Sequence, residues 1–169
     1  KALDHAQQIL REHNCLFANE PNKKVTHLLL DVPSFEADGS LRGGGDIAKL
    51  LAQLGSDITV IGGNLQHPAL ENYKTVDLLR DPFYIAENAD ITAYCAVTEA
   101  ATRLPVTLKG CQILVIGWGR IGKCLSQLLK NLGADVTVAA RKPKDRAMIH
   151  ALGYGAVDIN ELSLCLSHF

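Results

Sequence analysis

The chain has 169 residues, of which 47% are hydrophobic, and a formal net charge of −1 from 17 basic and 18 acidic side chains. The balanced charge and the few aromatic residues argue against a nucleic-acid-binding surface, and no apolar run reaches the roughly 18 residues of a membrane span. Five cysteines, an odd number without a CxxC pair, predict reduced thiols in a cytoplasmic protein rather than a disulfide framework or a metal site.

Short apolar runs alternate with segments of helical periodicity, a pattern that predicts parallel β-α-β units. In the first half of the chain the predicted elements are helices over 4–14, 45–55 and 68–72 and strands over 24–32, 57–63 and 75–79. In the second half they are helices over 89–104, 120–133, 143–153 and 162–169 and strands over 111–117 and 134–141. Residues 155–162 are predicted to hold a short strand and the start of one more element. The strand over 111–117, CQILVIG, is expected to be buried on both faces.

This order of elements predicts an α/β protein with two lobes. Residues 1–87 form a small parallel β-α-β lobe on the substrate side, and residues 88–104 form a linking helix. Residues 105–169 form the first half of a Rossmann dinucleotide-binding domain. Because a complete domain of this kind has about six parallel strands, we expect the chain to be a fragment of a longer protein.

The stretch VIGWGRIGKCL, residues 115–125, contains a GxGxxG motif directly between a strand and a helix. In that context the first glycine permits a tight turn, the second lets a pyrophosphate approach the backbone, and the third lets the helix pack close to the strand. The alternative is a tight turn without a ligand. The expected cofactor-binding residues are Gly117, Trp118, Gly119, Arg120, Ile121 and Gly122. The tryptophan is expected either to cover the cofactor or to pack against the other lobe.

The end of the next strand bears on which nucleotide would bind. NAD-binding domains usually place Asp or Glu there to accept hydrogen bonds from the ribose 2′-hydroxyl. This chain has Ala140, followed by Arg141 and Lys142. A guanidinium can bind a 2′-phosphate in bidentate fashion, so NADP is favoured over NAD. The alternative is that these cations are solvated surface charges.

The loop over 33–45, PSFEADGSLRGGG, follows a predicted strand and should line the cleft between the lobes, where the cofactor is also expected. Ser34 and Arg42, with the amides of residues 43–45, are candidates for holding a substrate carboxylate; the alternative is an ordinary mobile loop. Asn64 and Gln66 are expected on the same side. His27, within an apolar strand, is expected to be a core histidine.

The stretch LKGCQILVIGWGRIGKCLSQLLKNLGADVTVAARKPKDRAMIHALGYGAVDINEL, residues 108–162, resembles the NAD(P)-binding domain of the family formed by the A subunits of dipicolinate synthase. VTHLLLDVPSF and NADITAYCAV are similar to that family's first lobe and linking helix. The resemblance implies a two-lobed relative of the D-2-hydroxyacid dehydrogenases that acts on dihydrodipicolinate or its precursor in spore dipicolinate formation. It also implies a flavoprotein second subunit. The chain departs from the family at Tyr94 and Cys95, where the family often has Glu-Gly.

No catalytic residue is assigned from the sequence, because related dehydrogenases carry their catalytic Arg, Glu and His in a C-terminal portion. The other hypotheses are a generic D-2-hydroxyacid dehydrogenase relative and a nucleotide-binding or assembly subunit without catalysis. The expected partners are a small-molecule dicarboxylate substrate and further copies of the chain in a homo-oligomer, with no nucleic-acid or membrane partner.

Overall fold

The computed structural model of the protein describes residues 2–18 and 20–166. The chain divides into two compact units, Lys1–Asp81 and Pro82–Phe169. Each unit contains a three-stranded parallel sheet with helices, so the predicted α/β class with a Rossmann-like second lobe is confirmed. Residues 167–169 of the last predicted helix lie outside the described residues.

The first unit is a small β-α-β lobe. Its elements are α1 (Ala2–Glu12), β1 (His27–Leu29), α2 (Ile47–Ala52), β2 (Thr59–Gly62) and β3 (Lys74–Asp77), with short 3₁₀ helices at Pro68–Leu70 and Leu78–Arg80. The strand order is β1-β2-β3. The core of this unit forms around the central strand β2, from Leu30, Ile47, Leu51, Leu54, Ile58, Val60, Leu65 and Leu70.

The strand predicted over 24–32 is reduced to three residues in the structure, and His27 is exposed rather than part of the core. Its Nδ1 lies 2.9 Å from the hydroxyl of Thr26. The reason is that, among the described strands, β1 pairs with β2 alone, and a strand with one neighbour is covered less completely than a central strand. The prediction of a core histidine was therefore wrong.

The second unit begins with a long helix and continues as a β-α-β-α-β series. Its elements are α3 (Pro82–Arg103), β4 (Gln112–Ile116), α4 (Arg120–Asn131), β5 (Asp135–Ala140), α5 (Pro143–Ala151), β6 (Gly155–Asp158), a 3₁₀ turn at Ile159–Glu161 and α6 (Leu162–Cys165). The strand order is β4-β5-β6. The core consists of Val97, Val115, Leu129, Ala134, Val136, Val138, Ala140, Ile149 and Tyr154.

Two predictions about this unit are corrected by the structure. The long helix begins at Pro82 rather than near residue 89, because proline fits the first helical turn, where no intrahelical N–H bond is required. Strand β4 is not buried on both faces, since within the described part of the chain it pairs only with β5 and leaves Ile116 60% exposed. The central strand is β5, in which Val138 and Ala139 are fully buried.

Candidate functional site

The turn between β4 and α4, residues 117–122, is called the glycine turn here. Gly117 has φ +109°, a left-handed conformation that favours glycine, and its N–H donates to the carbonyl of Ala139 at 2.9 Å. Gly119 is the N-cap residue of α4 and has no side chain to cap the helix. The amides at the start of α4 are therefore left for an external acceptor, and the positive end of the helix dipole favours an anion there.

The third glycine of the motif sets the approach of α4 to β4. A Cβ on Gly122 would overlap the carbonyl oxygen of Gly117, whereas a Cβ on Gly117 or Gly119 would meet no described atom within 4 Å. Ser126, fully buried, holds this first turn by donating to the carbonyl of Gly122 at 2.7 Å. The conformational roles predicted for Gly117 and Gly122 are confirmed, and the space beside Gly119 leaves room for a ligand to approach the backbone.

Trp118 packs within its own unit. Its ring makes an edge contact with Tyr154, with centroids 5.9 Å apart and an interplanar angle of 62°, and Nζ of Lys123 lies 5.8 Å from its centroid. The Tyr154 hydroxyl donates to Oε1 of Gln127 at 3.1 Å, and burial raises the pKa of this phenol. The ring contact could not be predicted from the sequence, because Tyr154 lies beyond the next strand and helix.

The carboxyl end of β5 carries the residues predicted to select the nucleotide. Ala140 is 3% exposed and belongs to the core, whereas Arg141 and Lys142 are exposed at the start of α5. The guanidinium of Arg146 donates through Nη1 to the carbonyls of Ala140 at 3.0 Å and Arg141 at 2.8 Å. The same nitrogen lies 2.9 Å from Oδ2 of Asp158, on β6.

Arg146 and Asp158 were not among the residues predicted from the sequence. Asp158 pairs with Ala140 across the register of β5 and β6, but strand register is not visible in a sequence pattern. The available signal was weak: an arginine in the first turns of the predicted helix over 143–153, and an aspartate at the end of the next predicted strand.

In the first unit, Ser34 has a structural role. Its side chain is fully buried, and its hydroxyl donates to the carbonyl of Asp31 at 2.7 Å and accepts from the N–H of Gly63 at 3.0 Å. Both hydrogen bonds of this hydroxyl are thus made within the fold. Of the amides of residues 43–45 expected to help hold a carboxylate, that of Gly44 donates to the carbonyl of Leu41 at 3.0 Å. The start of α2 is capped separately by Asp46, which accepts from the N–H groups of Ala48 and Lys49.

Arg42 lies on the exposed part of the loop over 33–45. Its Nε is 3.6 Å from Oε1 of Glu36, and its backbone N–H donates to the carbonyl of Ser34 at 2.9 Å. In the same loop, the hydroxyl and the backbone N–H of Ser40 hold the pKa of Asp38 below its usual value. Arg42 is thus a partly exposed cation on a loop that several internal hydrogen bonds organise.

A cavity of about 510 Å³ lies beyond the carboxyl end of β2. It is lined by Phe35, Glu36, Ala37, Gly39, Asn64, Gln66 and His67. The His67 ring stacks on Phe35, with centroids 4.5 Å apart, and its Nδ1 accepts from the N–H of Ala69 at 3.2 Å. The side-chain amide of Gln66 is oriented with its oxygen towards the donors of Arg80, and this oxygen accepts from the Arg80 guanidinium. The structure thus brings Asn64 and Gln66 together with the loop over 33–45, as predicted from the sequence, and adds His67 and Arg80.

The part of the chain that the structure describes offers no metal site. Residues 2–18 and 20–166 contain no group of three or more His, Cys, Asp or Glu side chains placed to hold a metal ion. No helix within these ranges is long and apolar enough to cross a membrane. Cys15, Cys95, Cys111 and Cys124 are free thiols, and the side chain of Cys165 lies outside the described residues.

Residues 87–164 match the model of the family described as D-isomer specific 2-hydroxyacid dehydrogenase, NAD binding domain. The fold is similar to that of the A subunit of dipicolinate synthase from Bacillus halodurans (TM-score 0.68, 20% identity, 87% of this chain and 54% of that chain). It is also similar to dipicolinate synthase, A chain, from Bacillus subtilis (TM-score 0.60, 23% identity, 90% of this chain and 55% of that chain). A third similar structure is a transhydrogenase from Sinorhizobium meliloti (TM-score 0.58, 19% identity, 86% and 47%). No protein of curated function matches the chain.

These similarities and the glycine turn define the class that the second unit resembles: over residues 87–164 it is similar to the NAD binding domain of the D-isomer specific 2-hydroxyacid dehydrogenases. Most of the chain is similar in fold to the A subunits of dipicolinate synthase, so the resemblance stated from the sequence is confirmed at the level of the fold. The chain spans about half the length of these solved structures.

Proposed function

We propose that this chain binds NADP(H) in preference to NAD(H) at the glycine turn and takes part in hydride transfer to or from a dicarboxylate of the dihydrodipicolinate type. The observation that carries the proposal is the close approach of Gly122 to Gly117 at the start of α4, where no side chain caps the helix. A side chain at residue 122 would overlap the carbonyl oxygen of Gly117. This geometry fits a dinucleotide pyrophosphate, because it presents backbone N–H groups and leaves open space beside Gly119.

The preference for NADP(H) is supported by the charges at the end of β5. A 2′-phosphate carries up to two negative charges near neutral pH, and a guanidinium offers it paired donors. Arg141 and Lys142 are exposed where the ribose of a bound dinucleotide is expected, and Ala140 leaves no carboxylate at the end of this strand. A cofactor without the 2′-phosphate would gain less from these cations.

The dicarboxylate class is supported by the first unit. Arg42 is paired with Glu36, and Arg80 donates to the side-chain amide of Gln66. Both Glu36 and Gln66 line the cavity beyond the carboxyl end of β2. Two guanidiniums could each bind one carboxylate. Two of the similar solved structures are dipicolinate synthase chains, whose product is a dicarboxylate. The nicotinamide would supply the hydride chemistry, and the protein would bind and orient the substrate.

A titration with NADPH and with NADH tests the nucleotide proposal, with the fluorescence of Trp118, the only tryptophan, as the signal. We expect NADPH to bind more tightly. Arg141→Ala should weaken NADPH binding about tenfold, because it removes one charge-assisted hydrogen bond. It should leave NADH binding unchanged. Arg103→Ala, which removes an exposed arginine paired with Glu99, is the matched control. A preference for NADH that Arg141→Ala does not alter would overturn the NADP assignment.

The family match of residues 87–164 favours one further candidate, a D-2-hydroxyacid dehydrogenase. The two candidates differ in substrate and share the cofactor site. Turnover of the full-length protein with NADPH and NADP, using dihydrodipicolinate and a panel of D-2-hydroxy and 2-oxo acids, separates them. Nucleotide binding without turnover of either class would indicate a non-catalytic binding subunit.

A further inference from the structure

We propose that Arg146 is a positioning residue that sets the selectivity of this domain for the 2′-phosphate. It does so by holding the turn between β5 and α5, residues 140–143, and by neutralising Asp158 on the neighbouring strand. The inference rests on the proposed binding of NADP(H) and adds to it a residue that lies outside the expected cofactor contacts.

The first observation is that Arg146 holds the backbone of the β5–α5 turn. Its Nη1 donates to the carbonyls of both Ala140 and Arg141, at 3.0 and 2.8 Å. Two successive carbonyls bound to one guanidinium fix the direction in which the chain leaves the strand. The Arg141 side chain remains exposed beside this fixed backbone, so Arg146 determines where that guanidinium is presented.

The second observation is the placement of the carboxylate at this sheet edge. NAD-binding domains usually carry it at the end of the strand that corresponds to β5; here Ala140 occupies that position and Asp158 lies opposite it on β6. Both Asp158 oxygens are engaged: Oδ2 faces Arg146 at 2.9 Å, and Oδ1 accepts from the backbone N–H and the side-chain amide of Asn160, each at 3.0 Å.

These contacts have an electrostatic consequence. Arg146 and Asp158 side chains are each only 24% exposed, so their charges are screened by water less than those of a surface pair. With Arg146 in place, Asp158 neither repels a 2′-phosphate nor offers a free acceptor to a ribose hydroxyl. Without Arg146, the Asp158 carboxylate would repel a 2′-phosphate and would accept a hydrogen bond from a ribose hydroxyl. The preference would then move from NADPH towards NADH.

The experiment compares the ratio of the NADH and NADPH dissociation constants across variants of the full chain, measured by the fluorescence of Trp118 and of the bound nucleotide. Arg146→Gln should lower this ratio about tenfold or more, mainly by weakening NADPH, which corresponds to at least one lost charge-assisted interaction. Asp158→Asn should leave NADPH binding within about twofold of wild type or tighten it. The double variant should recover part of the NADPH affinity, since it also removes the unpaired carboxylate.

Two further variants separate positioning from general damage. Arg146→Lys keeps the positive charge on a shorter side chain, whose ammonium would reach the two carbonyls and Asp158 less closely than Nη1 of Arg146 does. The ratio of dissociation constants for this variant should therefore fall between those of wild type and Arg146→Gln. Arg103→Gln removes the arginine of the exposed pair with Glu99 and should leave the ratio unchanged. Circular dichroism and thermal unfolding identify variants that fail to fold; if Arg146→Gln is among them, Arg146→Lys decides the outcome.

The inference fails if Arg146→Gln or Arg146→Lys weakens both nucleotides equally or changes neither, or if Asp158→Asn weakens NADPH tenfold. In each of those cases wild-type binding of NADPH would leave the proposed function intact. If the wild-type chain binds neither nucleotide, or prefers NADH, the proposed function itself is overturned.

Discussion

Gly122 and Gly117 lie so close that a Cβ on the first would overlap the carbonyl oxygen of the second. Relief of that overlap requires α4 to move away from β4, in a part of the unit where Ser126 is fully buried and bonded to the Gly122 carbonyl. We therefore expect Gly122→Ala to lower the free energy of unfolding by about 1–3 kcal/mol, the usual cost of overpacking, and to abolish NADPH binding. Urea unfolding and nucleotide titration measure the two effects, and a variant of wild-type stability would contradict this account of the turn.

Gly119 has the opposite local environment, and so its substitution separates binding from folding. Its φ of −79° and ψ of −173° suit an alanine, and a Cβ there would project into open space. Gly119→Ala should keep the unfolding free energy within about 0.5 kcal/mol of wild type. It should nevertheless weaken NADPH at least about tenfold, because the methyl group would stand where the pyrophosphate is proposed to approach the backbone. Unchanged NADPH affinity in this variant would indicate that the pyrophosphate lies elsewhere.

The order of elements could be predicted from the sequence, because it depends on local periodicity. Apolar runs and glycine stops identified the strand, glycine turn and helix around residues 111–133, and the structure places β4 and α4 there. The position of a strand in its sheet could not be predicted, because it depends on which strands become neighbours. For this reason the burial expected for His27 and for both faces of β4 was wrong.

In the candidate site, too, the local features could be predicted from the sequence and the contacts between distant residues could not. The conformations of Gly117 and Gly122 followed from motif spacing, since three glycines between a strand and a helix have a local geometric meaning. The pairing of Arg146 with Asp158 depends on the register between β5 and β6, and the burial of Ser34 depends on Gly63 coming from the next strand's end. Contacts between residues that are distant in the chain are not visible in spacing alone.

Ser34→Ala tests the structural role that the fold gives to this residue. The substitution would leave the N–H of Gly63 without its acceptor in a fully buried position. We expect a loss of about 1–3 kcal/mol in the free energy of unfolding, the cost of an unsatisfied buried donor. Ser40→Ala, which removes an exposed hydroxyl from the same loop, is the control and should have a much smaller effect. If Ser34→Ala changed turnover of the full-length protein but not its stability, the hydroxyl would contact substrate after all.

Tyr154→Phe should change how stability depends on alkaline pH. Burial raises the pKa of Tyr154 in the folded state, so the phenol of the unfolded chain ionises first, near pH 10. Below that pH the contribution of the neutral buried phenol is fully present, and it is lost as pH rises through the folded-state pKa. The wild-type free energy of unfolding should therefore fall more steeply than that of Tyr154→Phe above about pH 10. At neutral pH the variant should be about 1 kcal/mol less stable, since it loses the hydrogen bond to Gln127.

Urea unfolding at several pH values between about 8 and 11 measures both effects. Tyr94→Phe, which removes the hydroxyl of a 56% exposed tyrosine, is the matched control and should keep the wild-type pH dependence. If the free energy of unfolding depended on pH equally in wild type and Tyr154→Phe, this phenol would ionise as readily in the folded unit as in the unfolded chain. In that case Tyr154 would not be the buried partner of Trp118 that the ring contact of 5.9 Å indicates, and nucleotide-induced changes in Trp118 fluorescence would have to be interpreted without it.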